Sequence, residues 1–168
     1  NRIQSFADTR RVVEMFRARG VASINIDLVY GLPHQTRQSV QRTIEKVLEL
    51  APDRIAIFGY AHLPARLKHQ RLIDEKALPG IVERFGQSKR LARILSAAGY
   101  VGIGLDHYAR PTDRLAGEHV RRNFQGYTTD KSDALIGLGA SAIGQLPQGF
   151  VQNATAAGAY QAMIGAGG

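Results

Sequence analysis

A carboxylate and an amide stand on the same side of SINIDLVY, residues 23–30, a run that is otherwise mostly apolar. Side chains alternate between the two faces of a strand, so Asn25 and Asp27 share one face. A strand within a parallel sheet is normally apolar on both faces, and burying unpaired polar groups is costly. Asp27 therefore has either a structural partner or a polar ligand. We favour the ligand, because the strand ends directly afterwards at a Gly-Leu-Pro turn.

Small residues in two further apolar runs indicate a cavity near this carboxylate. They are Gly59 and Ala61 at the end of the run that begins at Arg54, and Gly102 and Gly104, with Asp106, in the run at 100–108. Glycine weakens a strand unless something must approach the backbone closely. These positions therefore predict space for a flat or elongated ligand, with close packing of a helix on the sheet as the alternative.

Two motif-like features of the C-terminal part do not support catalysis. GLGASA at 137–142 superficially matches a dinucleotide-binding fingerprint, but the ribose-binding acid expected about 20 residues later is missing, since no acid follows Asp133. Ser141 lacks the context of a nucleophile elbow, because that motif requires glycine where Ile143 stands. Neither a dinucleotide site nor a serine nucleophile is predicted here.

Metal binding by this chain is not predicted either. The sequence has no cysteine, which excludes disulfides and, as the chain stands, thiolate-bound zinc or an iron–sulfur cluster. His62, His107 and His119 lack the spacing of a metal site, so polar or surface roles are favoured over metal ligation.

Length and composition indicate one soluble domain of ordinary size. The chain has 168 residues, of which 44% are apolar, and this excludes a disordered tail or a collagen-like repeat. The longest uncharged apolar stretch, 134–146, is too short to span a bilayer, which takes roughly 20 residues. A chain that opens on Asn1 without a charged and then apolar leader predicts no signal peptide.

The charge of the chain suits an acidic partner. There are 22 basic and 14 acidic side chains, a formal net charge of +8, which would attract a polycarboxylate, a phosphate or a nucleic acid. The arginines are scattered through predicted helices without interleaved aromatic residues, so solvated helix faces are favoured over a nucleic-acid groove. No charged side chain follows Asp133, and the uncharged Gly-rich segment 134–168 is expected to pack against other protein.

Helical and extended patterns alternate along the chain. Helices are predicted at 8–19, 36–50 and 84–98, and strands at 23–30, 54–60 and 100–108, with a fourth candidate strand at 134–143. Such alternation is typical of an α/β fold, here with about three to four parallel strands and flanking helices. Because a closed eight-unit barrel needs about 250 residues, the chain can form only an open sheet or part of a barrel. The stretch at 62–82 is expected to elaborate the C-terminal strand edge, where α/β folds carry function.

Six stretches of the chain, in order, resemble the oxygen-independent coproporphyrinogen III oxidases, a radical S-adenosylmethionine family of haem biosynthesis. They are NRIQSF (1–6), NIDLVYGLPHQT (25–36), YAHLPARLKHQRLI (60–73), GYVGIGLDHYARPTDRLA (99–116), RNFQGYTT (122–129) and LIGLGASAI (135–143). NIDLVYGLP alone marks only a wider group that includes haem-chaperone relatives. YAHLP, GLDHYARP and above all RNFQGYTT are more specific for the oxidases.

The resemblance implies a fold, a reaction and cofactors. Residues 1–168 would form a single partial domain, the later half of a (β/α) radical-SAM partial barrel. The complete protein would hold two S-adenosylmethionine molecules beside a four-iron four-sulfur cluster. It would convert propionate side chains of coproporphyrinogen III into vinyl groups, giving protoporphyrinogen IX. The C-x-x-x-C-x-x-C cluster motif is absent from this chain, which alone is not expected to turn over.

The resemblance also assigns residues and partners. The cofactor-binding residues would be Arg2, pairing with a cofactor carboxylate, Asp27, contacting S-adenosylmethionine, Ala61, through its backbone, and Gln125 and Ile143, around the second cofactor. Gln125 would also be the catalytic residue, positioning the reactants for hydrogen abstraction. The implied partners are the acidic tetrapyrrole and an electron donor of unknown identity, with no nucleic acid and no membrane span, for a cytoplasmic monomer.

Two other functions stay open at this point. A haem-chaperone-like relative would bind haem without oxidase activity, although RNFQGYTT disfavours it. A plain α/β binding domain with a basic surface would bind acidic ligands.

Overall fold

The computed structural model describes residues 4–117 and 119–167. The α-helices are α1 (Phe6–Ala18), α2 (Arg37–Glu49), α3 (Ile81–Ala97) and α4 (Ala157–Gly165), and short 3₁₀ helices lie at Lys68–Leu72, Glu75–Ala77 and Arg114–Ala116. The strands are β1 (Asn25–Tyr30), β2 (Arg54–Gly59), β3 (Val101–Ile103), β4 (His107–Ala109), β5 (Arg121–Asn123), β6 (Gly126–Thr128), β7 (Ile143–Leu146) and β8 (Gly149–Gln152). Within the described ranges, no helix combines the length and the apolar character needed to cross a membrane.

These residues group into two units, one ending at Gly117 and the other beginning, among described residues, at His119. The first unit combines a sheet with α1, α2 and α3, and the second consists of β-hairpins and α4. The prediction that 1–168 form a single partial domain stays a prediction, because two groups of contacts do not by themselves define two domains.

The sheet of the first unit has the strand order β1-β2-β4-β3. β1 and β2 are parallel and joined by α2, with Asn25 opposite Arg54 and Tyr30 opposite Gly59. β4 pairs antiparallel with both β2 and β3. The mixed α/β character expected from the alternating pattern is therefore confirmed.

The run at 100–108, predicted as one parallel strand, is instead a β-hairpin. Gly104 has a positive φ of 61° and opens a turn over 104–106, so that β3 and β4 pair antiparallel. Glycine adopts this left-handed conformation at little cost, and the residue expected to weaken a strand here reverses the chain. The prediction of three to four parallel strands was therefore wrong, since β1 and β2 are the parallel pair among the described residues.

The fourth candidate strand, 134–143, is also placed differently. In the second unit, Leu135 forms an isolated bridge, a turn follows, and β7 begins only at Ile143. The side-chain amide of Asn153 holds this loop by donating to two of its carbonyls, at 3.0 Å to that of Gly137. A Cβ at Gly137 would lie 2.9 Å from the backbone of Ile143. The Gly-rich sequence therefore serves a closely packed loop and not a strand.

Helices α2 and α3 cover one face of the sheet and form the main core. The buried side chains are Val40, Ile44 and Val47 of α2, Ile55 and Ile57 of β2, Leu91 and Leu95 of α3, and Tyr100. Ile26, Leu28 and Tyr30 of β1 alternate onto the same face and pack against this cluster. A slip of one residue in β1 would turn its apolar side chains away from the helices, so the core fixes the register that leaves Asp27 on the opposite face.

Asp113 forms hydrogen bonds near the N-terminal ends of both parallel strands. Its side chain is 5% exposed, and its two oxygens accept from Arg54 Nε at 3.0 and 2.9 Å. The backbone N–H of Leu115 and the hydroxyl of Ser23 also donate to it. Burial raises the pKa of this carboxyl, but these hydrogen bonds and the Arg54 charge outweigh burial and hold the pKa below its ordinary value of 3.8.

Replacing Asp113 with asparagine is expected to destabilise the protein by about 1–3 kcal/mol at neutral pH, because Arg54 loses a charged acceptor. A carboxyl with a lowered folded pKa stabilises the fold above its unfolded pKa and loses that contribution as the pH falls through the folded value. The difference between wild type and Asp113→Asn should therefore shrink below about pH 4. Urea denaturation of the complete protein at pH 7 and pH 3 measures this, and a pH-independent difference would contradict it.

Candidate functional site

The face of the sheet that α2 and α3 leave uncovered carries the polar groups of β1. Asp27 is exposed there, and the side-chain amide of Asn25 donates to Asp27 Oδ1 at 2.6 Å. Among the described residues, this neighbour in the same strand is the structural partner of the carboxylate. An ionised carboxylate has about four acceptor positions, so capacity remains for the ligand that the sequence favoured.

Strand register places His107 in the same row as Asp27. Asp27 is opposite Ala56 of β2, and Ala56 is opposite His107 of β4, so the three side chains share one face. The carboxylate and the imidazole stand two strand spacings apart, about 10 Å between Cα atoms, with only a methyl group between them. His107 Nδ1 lies 2.6 Å from Asp106 Oδ1, and the imidazole meets the ring of Phe58 edge-on at 5.8 Å.

Sequence reasoning missed His107 as a residue of this face. The histidine was expected to have a polar or surface role, and Gly102 and Asp106 were expected to line the cavity. The register instead pairs Gly102 with Tyr108, on the side of the sheet that packs against the helices. One sequence signal could have indicated this position. Asp106 and His107 are adjacent and follow Gly104 closely, which indicates a polar pair at the start of a strand.

The base of the uncovered face is packed and its upper part is open. Ala56 and Ala109, toward the N-terminal ends of β1 and β2, are each 1% exposed. Toward the C-terminal ends, Val29 and Phe58 are 42% and 38% exposed. The accessible region therefore lies at the carboxyl ends of the parallel strands, the edge at which α/β sheets bind ligands.

Ala61, the predicted backbone contact, is exposed just beyond the end of β2. Gln70, which is 5% exposed, donates from Nε2 to the Ala61 carbonyl at 3.0 Å and accepts from the Leu63 N–H at 2.5 Å. The structure thus places Asp27 in β1 and Ala61 just beyond the end of the neighbouring parallel strand, β2. Gln70 shapes the loop that carries Ala61, and the sequence pattern, in which it sits between basic residues, contained no signal for that role.

His62 belongs to a small polar network beside this loop. Its Nε2 lies 3.1 Å from Glu75 Oε1, and its Nδ1 lies 3.4 Å from the Tyr60 hydroxyl. Across the described ranges, no group of three or more histidine, aspartate or glutamate side chains is arranged to hold a metal ion. The polar role predicted for His62 agrees with these contacts.

Gln125 and Ile143 lie in the second unit. Gln125 is exposed in the two-residue turn between β5 and β6, where the Asn123 side-chain oxygen accepts from the N–H groups of Gln125 and Gly126 at 2.9 and 3.1 Å. Ile143 is the first residue of β7 and is partly buried. Arg2 lies outside the described residues. Asn123 therefore holds the turn backbone, and the Gln125 side chain is not required to form it.

A groove of about 780 Å³ runs along the unpaired edge of β1 and reaches Asp27. Among the described strands, β1 pairs with β2 alone. The groove is lined by α1, β1 and α2, with Phe6, Val47 and Leu50 among its apolar residues. An edge strand exposes unpaired backbone donors and acceptors, so this groove can accept a further extended segment.

A smaller cavity, of about 220 Å³, lies on the helix side of the sheet. Tyr30, Ser88, Asp106 and Tyr108 are its polar lining residues. Burial, and secondarily the nearby Tyr30 phenol, raise the pKa of Tyr108 above its ordinary value of 10. The Tyr108 hydroxyl therefore stays protonated at physiological pH and can donate a hydrogen bond.

The basic side chains of α2 and α3 line a separate groove of about 500 Å³ that contains no predicted site residue. Arg37 is paired there with Glu83 at 3.0 Å, and Arg90 is bonded to the Gln41 side-chain oxygen. These contacts between neutral or oppositely charged neighbours are typical of a solvated helix surface.

Comparison with known proteins identifies relatives of this chain, although no protein-family model matches it. The oxygen-independent coproporphyrinogen III oxidase of Bradyrhizobium diazoefficiens is 56% identical over 99% of this chain and 38% of its own length. That of Pseudomonas aeruginosa is 44% identical over 98% of this chain and 36% of its own length. The chain thus spans little more than a third of these relatives.

A solved structure agrees with the sequence comparison. The coproporphyrinogen III oxidase HemN of Escherichia coli, described as a radical SAM enzyme, superimposes with a TM-score of 0.94 and 39% identity. The match covers 99% of this chain and 40% of HemN. The resemblance inferred from the motifs is confirmed, and the chain belongs to the oxygen-independent coproporphyrinogen III oxidase family.

Proposed function

We propose that the complete protein containing this chain is an oxidoreductase that converts propionate side chains of coproporphyrinogen III into vinyl groups without oxygen, giving protoporphyrinogen IX in haem biosynthesis. The observation that carries the proposal is the similarity to HemN over 99% of the chain, with a TM-score of 0.94. The names of the sequence relatives favour the same reaction over the haem-chaperone alternative.

We further propose that the parent protein uses a four-iron four-sulfur cluster and two S-adenosylmethionine molecules. This chain has no cysteine, so cluster ligands come from outside it. When bound and reductively cleaved, S-adenosylmethionine would supply the radical that abstracts one hydrogen atom from a propionate side chain; the carboxylate would then leave as carbon dioxide, one electron would pass to an acceptor outside this chain, and a vinyl group would remain.

The residues of this chain fit the proposed cofactor. Asp27 offers an exposed carboxylate, oriented by Asn25, on the uncovered face of the sheet in the middle of β1. A carboxylate suits the ammonium and hydroxyl groups of S-adenosylmethionine, which it would bind by charge-assisted hydrogen bonds. Ala61, on the next strand end, would contribute backbone contacts.

The proposal also includes two residues of the second unit and one residue outside the described ranges. Gln125 would orient the reactants through its amide, which both donates and accepts hydrogen bonds. Ile143 would pack against the second cofactor, and Arg2 would pair with a cofactor carboxylate. The remaining partners are the tetrapyrrole and an electron donor whose identity the proposal leaves open, in a cytoplasmic monomer.

The free edge of β1 supports the partial-barrel form of the fold. We propose that an earlier strand of the complete protein pairs with this edge and fills the groove between α1 and α2. The unpaired backbone of β1 and the apolar lining of the groove support this arrangement.

An anaerobic assay of the complete protein tests the proposed function. With reconstituted cluster, S-adenosylmethionine and a chemical reductant, coproporphyrinogen III should yield vinyl product and carbon dioxide. This chain alone, reconstituted in parallel, should bind no cluster, because it has no thiolate. Haem binding by the complete protein with no vinyl product would favour the haem-chaperone alternative and contradict the proposal.

A further inference from the structure

We infer that Arg84 and Gln87 of α3 are positioning residues that hold the ends of β1 and β2 together. On the proposed function, on which this inference rests, they fix the backbone that carries Asp27 and Ala61. The two side chains stand three positions apart, one turn of helix, and therefore lie on the same face of α3.

Gln87 holds the loop that follows β1 through two side-chain hydrogen bonds. Its side chain is completely buried, with 0% exposure. Its Oε1 accepts from the Gly31 N–H at 3.0 Å and its Nε2 donates to the Gln35 carbonyl at 2.8 Å. Burying an amide is costly unless both of its ends are bonded, and here both bond to backbone at the two ends of one loop. A leucine at this position would bury as well but would leave that loop unheld.

Arg84 reaches the end of β2. Its Nη2 donates to the Tyr60 carbonyl at 2.7 Å, and its side chain passes both strand ends on the way. A Cβ at Gly31 would lie 2.9 Å from Arg84 Nε, and one at Gly59 would lie 3.3 Å from Nη2. Both strand ends therefore carry glycine where the arginine crosses them.

These contacts form a closed ring around the two strand ends. The Tyr60 N–H donates to the Tyr30 carbonyl at 2.7 Å, which links the end of β1 to the end of β2. Gln87 holds Gly31, the residue after Tyr30, and Arg84 holds the Tyr60 carbonyl. Since Ala61 follows Tyr60 directly, a shift of the arginine moves the backbone proposed to contact the cofactor.

Arg84 bonds to a backbone carbonyl, as Arg71 and Arg110 of the first unit also do. Arg17 and Arg54 pair with carboxylates, whereas the described hydrogen bond of Arg84 goes to a backbone carbonyl. The partly buried guanidinium of Arg84 therefore makes a charge-assisted hydrogen bond to the backbone at the end of β2.

Arg84→Met in the complete protein tests the inference. We expect the Kd for S-adenosylmethionine, measured by calorimetry, to rise about tenfold, with cluster content unchanged. KM for S-adenosylmethionine should rise more than kcat falls. Hydrogen exchange of the Tyr60 amide should accelerate about tenfold, while Arg84→Lys, which can still donate to the carbonyl, should restore most of the protection. Arg93→Met, an exposed arginine of the same helix, is the matched control and should match wild type.

A second variant keeps the test decisive if Arg84→Met does not fold. Gly59→Ala retains the arginine and adds a methyl group 3.2 Å from the Tyr30 hydroxyl and 3.3 Å from Arg84 Nη2. It should therefore disturb both side chains at the joined strand ends and produce the same changes in affinity and exchange. Wild-type affinity and wild-type Tyr60 protection in the folded variants would overturn the inference, as would equal effects in Arg93→Met.

Different results would overturn the proposed function and this inference. Wild-type protein that binds S-adenosylmethionine but forms no vinyl product would overturn the oxidase proposal and leave the affinity comparison intact. Wild-type protein with no affinity for S-adenosylmethionine would also overturn the oxidase proposal. The inference about Arg84 and Gln87 would then be tested by hydrogen exchange of the Gly31 and Tyr60 amides in Gln87→Leu and Arg84→Met. Wild-type exchange in both variants would overturn it.

Discussion

Replacing Asp27 with alanine in the complete protein is expected to weaken the binding of S-adenosylmethionine by roughly ten- to a hundred-fold. A charge-assisted hydrogen bond contributes about 1.5–3 kcal/mol, which corresponds to that range of affinity. The carboxylate is exposed, and among the described residues its hydrogen-bond partner is Asn25 in the same strand. The variant should therefore keep nearly all of the stability of the wild-type protein.

Calorimetry with S-adenosylmethionine and thermal unfolding together measure this prediction. Asp27→Asn keeps the size of the side chain and removes its charge, so it should lose most of the affinity as well. Glu14→Gln, which removes an exposed carboxylate from α1, is the control and should bind normally. If affinity is unchanged in Asp27→Ala while Tm falls sharply, the carboxylate has a structural role and not the proposed one.

Replacing Gln125 with alanine is expected to cut vinyl product formation about a hundred-fold, because small misplacements of reacting groups can cost that much in rate. The turn that carries Gln125 is held by Asn123, whose side-chain oxygen accepts from the backbone of Gln125 and Gly126. Removing the glutamine side chain therefore leaves the hairpin intact. Cluster absorbance and thermal stability should match those of the wild type.

The chain supplies a closely matched control for this variant. Gln148 is also an exposed glutamine in a two-residue hairpin turn, between β7 and β8, and is followed by Gly149 with φ 142°. Gln125 is followed by Gly126 with φ 143°. Gln148→Ala should therefore turn over normally. Wild-type product formation by Gln125→Ala, measured per cluster under anaerobic conditions, would remove Gln125 from the site.

Local sequence patterns predicted several helices and strands of the first unit. The apolar periodicity at 36–50 predicted α2, and the run at 23–30 predicted β1 together with the separation of Asp27 from the apolar face. The same reasoning failed at Gly104, because a glycine inside an apolar run fits both a weak strand and a tight turn. Only the antiparallel pairing of β4 with β2 and β3 shows that Gly104 lies in a tight turn.

The sequence by itself determined the family, the α/β character and the polar face of β1, because motifs and side-chain alternation are local properties. Its assignments of Asp27, Ala61, Gln125 and Ile143 to cofactors stay predictions. The tertiary structure alone decided that His107 stands in the row of Asp27, since register joins residues that are 80 positions apart in sequence. It also decided that Gln87 is buried, because a helical glutamine looks like a surface residue until the backbone groups that bond both of its ends come from a distant loop.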